Sequence, residues 1–391
     1  MDRLTNGFVG PTRDIYVERG VPYLLARHVR DGRLNFDGQT FVGAKFNNEN
    51  KKSKLKSGDV LLVQSGHIGH SAVVGIDHDG HNCHAMIVLS PKPELLKGEY
   101  LSYFFRSPGM RRAFNAIRSG STVPHLTCAA VRELQIQVPS ISQQQRTVAA
   151  LDEAFEAVDE AKANAEKNLQ NAREFYECQL ESLFAGVASK WPERRLEQVA
   201  NIINGYAFKS TDFQNAAGVR SIKITNVGVR EFVDSPGNNL PAEFAQRHSG
   251  AAVTNGSIVL ALTRTIIAGG LKVAVVPRAF DGALLNQRVA GVQAHAAELE
   301  TSFLFAFLST RRVMDYVKSR VNTLMQPNLS IADLRQLPVP LPALPEQREL
   351  VAKLNRFDQN SRMFKSVYHR KLAALDELKK SLLHQAFSGA L

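Results

Sequence analysis

Long apolar runs are missing from this chain of 391 residues. A membrane-spanning helix needs about 18 consecutive apolar residues, and no stretch supplies them. The opening "MDRLTNGFVGPTRDIY" has no apolar core behind a basic lead, so no signal peptide is expected there. Cysteine is scarce: Cys83, Cys128 and Cys178 lie far apart and none forms a C-x-x-C pair. That spacing argues against a disulfide framework or a structural zinc knuckle and for a reducing compartment. A cytoplasmic protein with no membrane partner is expected. Catalytic signatures are missing as well. The chain has no G-x-x-x-x-G-K phosphate cradle, no G-x-G-x-x-G, no G-x-S-x-G, no Pro-Asp opening of a nuclease motif, and no Asn or Asp followed by Pro-Pro and an aromatic. A binding role without catalysis is the expectation.

What the chain has is positive charge, a net +11. Residues 1–139 carry 18 Lys and Arg against 12 Asp and Glu, and residues 191–342 carry 16 against 11. Between them, residues 140–190 carry 5 against 9. Two basic blocks separated by an acidic segment suit two surfaces that attract a polyanion. Excess lysine kept for solubility would give the same balance.

The strongest signal is an internal repeat. "LTCAAVRELQIQVPSISQQQRTVAAL" (126–151) faces "LSIADLRQLPVPLPALPEQRELVAKL" (329–354) at a shift of 203, with nine of 26 positions identical. "LESLFAG" (180–186) faces "LHQAFSG" (383–389), and at a shift of 198 "GDVLLVQSG" (58–66) faces "GSIVLALTR" (256–264). Each unit of about 200 residues begins with a block rich in short Val, Ile and Leu runs after turn residues, which predicts buried strands. A short helix over 98–120 or 300–322 follows, then a proline loop, then a last strand ending at Pro139 or Pro342. A long helix closes each unit, with glycine at 186 or 389 as its stop.

The long helices carry apolar residues on alternating three- and four-residue steps. The first has Val148, Leu151, Phe155, Val158, Ala165, Leu169, Ala172 and Leu183; the second has Leu350, Leu354, Phe357, Phe364, Tyr368, Leu375, Leu378 and Leu382. A sustained 3.5 period is a narrow seam that meets a partner helix. About 45 residues at 1.5 Å each make a rod of roughly 65 Å. The two rods are expected to pack antiparallel, with polar gaps at Lys162, Gln179, Ser361 and Lys371. The expected boundaries are 1–139 and 191–342 for the β-rich blocks, and 140–190 and 343–391 for the spacer helices. The fold class is thus α/β (α+β): two tandem β-rich domains joined by a long antiparallel two-helix coiled coil, with an internal pseudo-two-fold repeat.

This order of blocks, with the junction "LRQLPVPLPALPEQRELVAKL", its copy at 131–151, the strand phrases "GDVLLVQSGHIG" and "GSIVLALTR", and the tail "SLLHQAFSGAL", resembles the specificity subunit of type I restriction–modification systems. The resemblance covers nearly the whole chain. It implies that the β-rich blocks are target recognition domains, each reading one half of a split site in double-stranded DNA. It also implies that the helices set the spacing and dock two adenine methyltransferase subunits, which restriction/translocase subunits join. No cofactor would belong to this chain; S-adenosylmethionine, and ATP with Mg, would sit on the partners. Two departures stand out: "SQQQR" replaces "PEQRE" in the first copy, and the first copy has no counterpart of "WPERRLEQ" (191–198). A stand-alone bivalent DNA-binding regulator and a coiled-coil scaffold remain alternative readings.

Basic and amide residues in loops are the candidates for DNA contact, since Lys fixes register on phosphates while Arg, Asn and Gln read base edges. In the first block these are Arg27, His28, Arg30, Lys45, Lys51, Lys52, Lys54, Lys56, Ser65, His67 and His125. In the second they are Lys209, Lys223, Asn226, Arg230, Thr263, Arg264, Gln326 and Asn328. His28 matches Asn226, and His125 matches Asn328. The cluster His67, His70, His78, His81, Cys83 and His84 has ligand types that suit zinc, but the second copy lacks all of them and strand alternation would split their directions. No metal is expected.

Overall fold

The computed structural model describes residues 1–119, 124–185, 190–267, 269–320 and 328–388. The chain divides into two compact units, Met1–Lys167 with Tyr368–Leu391, and Asn168–Val367. Both long helices, Ile141–Ala185 and Leu344–Phe387, begin in one unit and end in the other. The glycines expected as helix stops, Gly186 and Gly389, lie outside the described residues. Among the described residues no helix is long and apolar enough to cross a membrane.

In the first unit a fully antiparallel sheet has the order Arg3–Asn6, Met86–Ser90, Val60–Val63, Ser71–Val73. Val60–Val63 is buried on both faces, which is why it is a continuous apolar run rather than an alternating one. One face packs on Leu101, Phe105 and Phe114, and the other on Leu24, Leu55 and Cys83. The second unit repeats the sheet as Ala200–Asn204, Val289–Ala294, Ile258–Ala261, Val273–Val275. Smaller sheets repeat too: Tyr23 pairs in parallel with Asn82, and the matched Ser221 with Leu284.

Four expectations differ from the structure. The single short helix of each unit is two helices, Gly98–Arg106 with Pro108–Ile117, and Thr301–Leu308 with Arg311–Arg320. Ser107 caps the second helix of the first pair by accepting from Met110 N, with Pro108 at its first position, so the chain turns there. The strand expected before each proline exists only once: Pro338–Pro340 pairs with Glu193–Arg195, whereas the matched residues 135–137 form none. On the second long helix, Phe364 and Leu378 stay 48% and 45% exposed, so they lie off the seam. Ser361, expected as a gap, is buried and donates to Ala172 O at 2.8 Å.

Within each unit the two helices run in opposite senses. In the first, Lys379 pairs with Asp159 and Lys162 with Asp376, while Leu151, Phe155 and Leu383 share a cluster. In the second, Ser361 meets Ala172, and Phe357 meets Phe175 at 5.8 Å between ring centroids.

The repeated junction has a physical cause. Gln144 is fully buried at the start of the first long helix. Its Oε1 accepts from Lys97 N at 2.8 Å, and its Nε2 donates to Leu95 O at 2.9 Å and Pro139 O at 2.8 Å. Gln347 repeats this: Oε1 accepts from Glu300 N, and Nε2 donates to Glu298 O and Pro342 O, all at 2.8 Å. Each glutamine ties its helix to its own domain through three backbone groups, which lose this partner when the amide is removed. Gln144→Ala or Gln347→Ala should each cost about 2–3 kcal/mol of stability. Denaturant unfolding of the full chain checks this, and a loss below about 0.5 kcal/mol would mean that water replaces the amide.

Candidate nucleic-acid interface

Each large sheet ends one strand in a turn that a later loop clasps. In the first unit, Ser65 follows Val60–Val63 and bridges to His125, whose Nδ1 lies 2.5 Å from Ser65 Oγ. Leu126 N donates to Gln64 O at 2.8 Å and His125 N to Ser119 O at 2.8 Å. In the second unit Thr263 bridges to Asn328, and Leu329 N donates to Leu262 O at 2.8 Å. The two clasps sit at matched positions but carry different side chains.

The residue after the clasp has left-handed backbone in both copies. Gly66 has φ +73°, as glycine allows. Its match is Arg264 at φ +49°, where a side chain is strained. Arg264 is exposed, so the strain holds an always-charged fork out of the turn.

The other candidates divide by burial. Arg27, Arg30, Lys45, Lys51, Lys52, Lys56, His67, Lys209 and Asn328 are exposed, and Lys54 is half-buried with Nζ on Asn48 Oδ1 at 3.0 Å. Arg27 also donates to Gly38 O at 2.8 Å. Thr263 is 7% exposed and acts through its bridge. His28 and Asn226 are both buried, 1% and 0% exposed, and do one job. His28 Nδ1 accepts from Leu25 N at 3.1 Å, and Asn226 Oδ1 accepts from Lys223 N at 2.8 Å, so each closes a turn three residues back. Burial lowers the pKa of His28, which keeps it neutral at neutral pH. These two matched positions are structural, and their side chains do not reach the surface. Lys223 lies 3.4 Å over the Phe213 ring, and burial lowers its pKa. Arg230 is engaged by Glu177 at 3.2 Å and by the Tyr176 ring. Gln326 lies outside the described residues.

Arg288 was missed in the sequence. It is exposed, and its carbonyl accepts from Leu262 N at 2.8 Å beside the clasp. Only the sheet register brings it there. In the histidine cluster, Cys83 is buried, which pushes its thiol up to about 12, and it serves as core. Among the described residues no three His, Cys, Asp or Glu side chains come together as metal ligands.

A family model described as the type I restriction modification DNA specificity domain matches residues 14–170 and 188–366. The MjaVIII type I restriction enzyme specificity subunit of Methanocaldococcus jannaschii is 23% identical over 395 residues, covering 97% of this chain and 88% of that protein. The EcoBI specificity subunit of Escherichia coli is 22% identical, covering 96% and 89%. Among solved structures, one described under complex assembly and conformational transition of the type I R-M system superposes over 100% of this chain and 98% of its own, with TM-score 0.73 and 18% identity. The HsdS subunit from Thermoanaerobacter tengcongensis superposes over 99% and 94%, with TM-score 0.57 and 19% identity. These two likenesses concern the fold.

The strain at Arg264 gives a test with two opposed readouts. Arg264→Gly should raise the melting temperature by about 2–4 °C, since it removes roughly 1 kcal/mol of backbone strain. The same change should weaken DNA binding about tenfold through loss of the charged fork. A variant that binds DNA unchanged would remove Arg264 from the interface.

Proposed function

The chain belongs to the type I restriction modification DNA specificity family, and from that premise we propose that it reads a split, asymmetric DNA site through two unlike clasps. It is the non-catalytic specificity subunit of a type I restriction–modification system, and catalysis resides on partner subunits. In the proposed assignment, residues 1–139 and 191–342 are the two target recognition domains, one for each half-site. Residues 140–190 and 343–391 form the antiparallel coiled-coil spacer. Two methyltransferase subunits dock on the spacer, bringing S-adenosylmethionine, and restriction/translocase subunits bring ATP with Mg. The complex works in the cytoplasm.

The carrying observation is the matched pair Ser65–His125 and Thr263–Asn328. One geometry with two sets of side chains favours two related readers with different sequence preferences. The exposed cations Lys45, Lys51, Lys52, Lys56 and Lys209 would supply the phosphate contacts that fix register, and Arg264, Arg30, His67 and Asn328 would face base edges. Two such readers on one side of a duplex favour half-sites about one helical turn apart, roughly 10 base pairs centre to centre, with unread base pairs between.

Exchanging residues 191–342 for the same block of a relative tests this. Selection of bound sites from a random DNA library should then show one half-site changed and the other kept, at an unaltered spacing. A swap that alters both halves, or neither, contradicts the assignment.

A further inference from the structure

Each unit lays a tight hairpin along the outer strand of its large sheet. In the first unit Val29–Arg30 pairs with Arg33–Leu34, and Gly32 in the turn bridges Ala72. In the second, Val227 bridges Phe232, Gly228 N donates to Glu231 O at 2.8 Å, and Val229 bridges Val273. The 198 shift that matches strands 60–63 and 258–261 also matches Val29 with Val227, Leu34 with Phe232, and Gly32 with Arg230. Both turn residues are left-handed, Gly32 at φ +85° and Arg230 at φ +58°. Glycine takes that backbone freely, whereas arginine is strained there. A strained arginine where the sister copy has glycine points to a task for its side chain.

That side chain reaches the part of the helix Ile141–Ala185 that belongs to its own unit. Arg230 Cζ stands 4.8 Å from the centre of the Tyr176 ring, and Nη2 donates to Glu177 Oε1 at 3.2 Å. The first unit makes the same kind of joint from other residues. Arg106, which ends Gly98–Arg106, has Cζ 5.0 Å from the Tyr103 ring and 5.5 Å from the ring of Phe155 on the long helix. Gly32 makes room for it, because a side chain there would run into the Arg106 guanidinium. The 203 shift sets Ser309 opposite Arg106 and Ala306 opposite Tyr103, so the second unit has neither. Ser309 instead lines, with Arg230 and Glu177, a hollow of about 560 Å³. Arginine and small residue have changed places between the two copies.

We infer that Arg106 and Arg230 are positioning residues: each lays a cation on an aromatic ring where a recognition domain meets its long helix, and so holds the reading sheet at one angle on that helix. Both guanidinium groups lie within the roughly 6 Å at which a ring attracts a cation. Both arginines are half-buried, which strengthens the attraction. The exchange of residues between copies leaves the joint in place while moving its cation from the helix Gly98–Arg106 to the hairpin. The angle bears on reading because it limits how much unread DNA fits between the half-sites. That consequence rests on the proposed split site, and the joint itself does not.

The test uses the full chain, the variant Arg230→Gly, and the double variant Arg230→Gly with Ser309→Arg, which copies the first unit's arrangement. Hydrogen exchange reads the joint without DNA. The Gly228 and Val233 amides, which bond across the hairpin to Glu231 O and Asn226 O, should exchange about fivefold faster in the single variant. The double variant should return them to the original rate. Selection of bound sites from a random DNA library reads the consequence. In the single variant, sites spaced a base pair longer or shorter should become about fivefold more frequent, with both half-sites kept. Ser309→Arg should restore the original spacing. Unchanged exchange, or an unchanged spacing distribution, in the single variant overturns the inference, as does a double variant that restores neither. A half-site altered at constant spacing would place Arg230 on the DNA and overturn it too. An unaltered chain that selects no split site sinks the proposed function alone, and the exchange rates then decide for or against the joint.

Discussion

A buried side-chain amide at the start of each long helix is the constraint on which the rest of the molecule depends. Gln144 and Gln347 are both fully buried, and each satisfies one backbone N–H and two carbonyls drawn from the domain and from the proline two residues ahead of the helix. An amide is the one neutral side chain able to accept once and donate twice in a fixed plane. Glutamate would lack the donors, and leucine would leave all three backbone groups unpaired. Loosening this tie would let a domain tilt on its helix while both remained folded.

The repeat explains how one sequence builds two readers. The strands that make each large sheet and the packing of Phe387 on Tyr100 and Phe104, or of Phe184 on Phe303 and Phe307, are matched between units. The two copies differ widely in sequence, and the difference includes the clasp and the residue after it. There Ser65, Gly66 and His125 face Thr263, Arg264 and Asn328. A shared scaffold with different loop chemistry is how a duplicated domain acquires a second specificity.

Much of this was legible in the residues. The strand runs at 60–63 and 258–261, both long helices and most of the seam follow from apolar periodicity. Helix breaks at Ser107 and Ser309 were less visible, because the apolar pattern continues across them and only a serine cap and Pro108 mark the first. Phe364 and Leu378 misled because they keep helical spacing while the packed seam passes through Ser361, whose hydroxyl bonds back to Ala172. The repeat predicts a strand ending at Pro139 as at Pro342, yet a strand needs a partner, and among the described residues only the second unit supplies one. At the candidate interface, residue type separated cations well but did not separate reader from turn-closer. His28 and Asn226 have the side chains of base readers, and their inward-facing bonds to Leu25 and Lys223 become visible only in three dimensions. Arg288 stayed hidden for the opposite reason, since its nearness to the clasp is a matter of strand register.

Two unlike readers acting on one duplex would leave a split signature in the methylated DNA. Single-base mapping of methylated adenines in cells carrying this system tests it most directly. The expected result is one motif made of two different short half-sites separated by a constant number of unspecified base pairs. A continuous or palindromic motif, or a spacer of variable length, would contradict it.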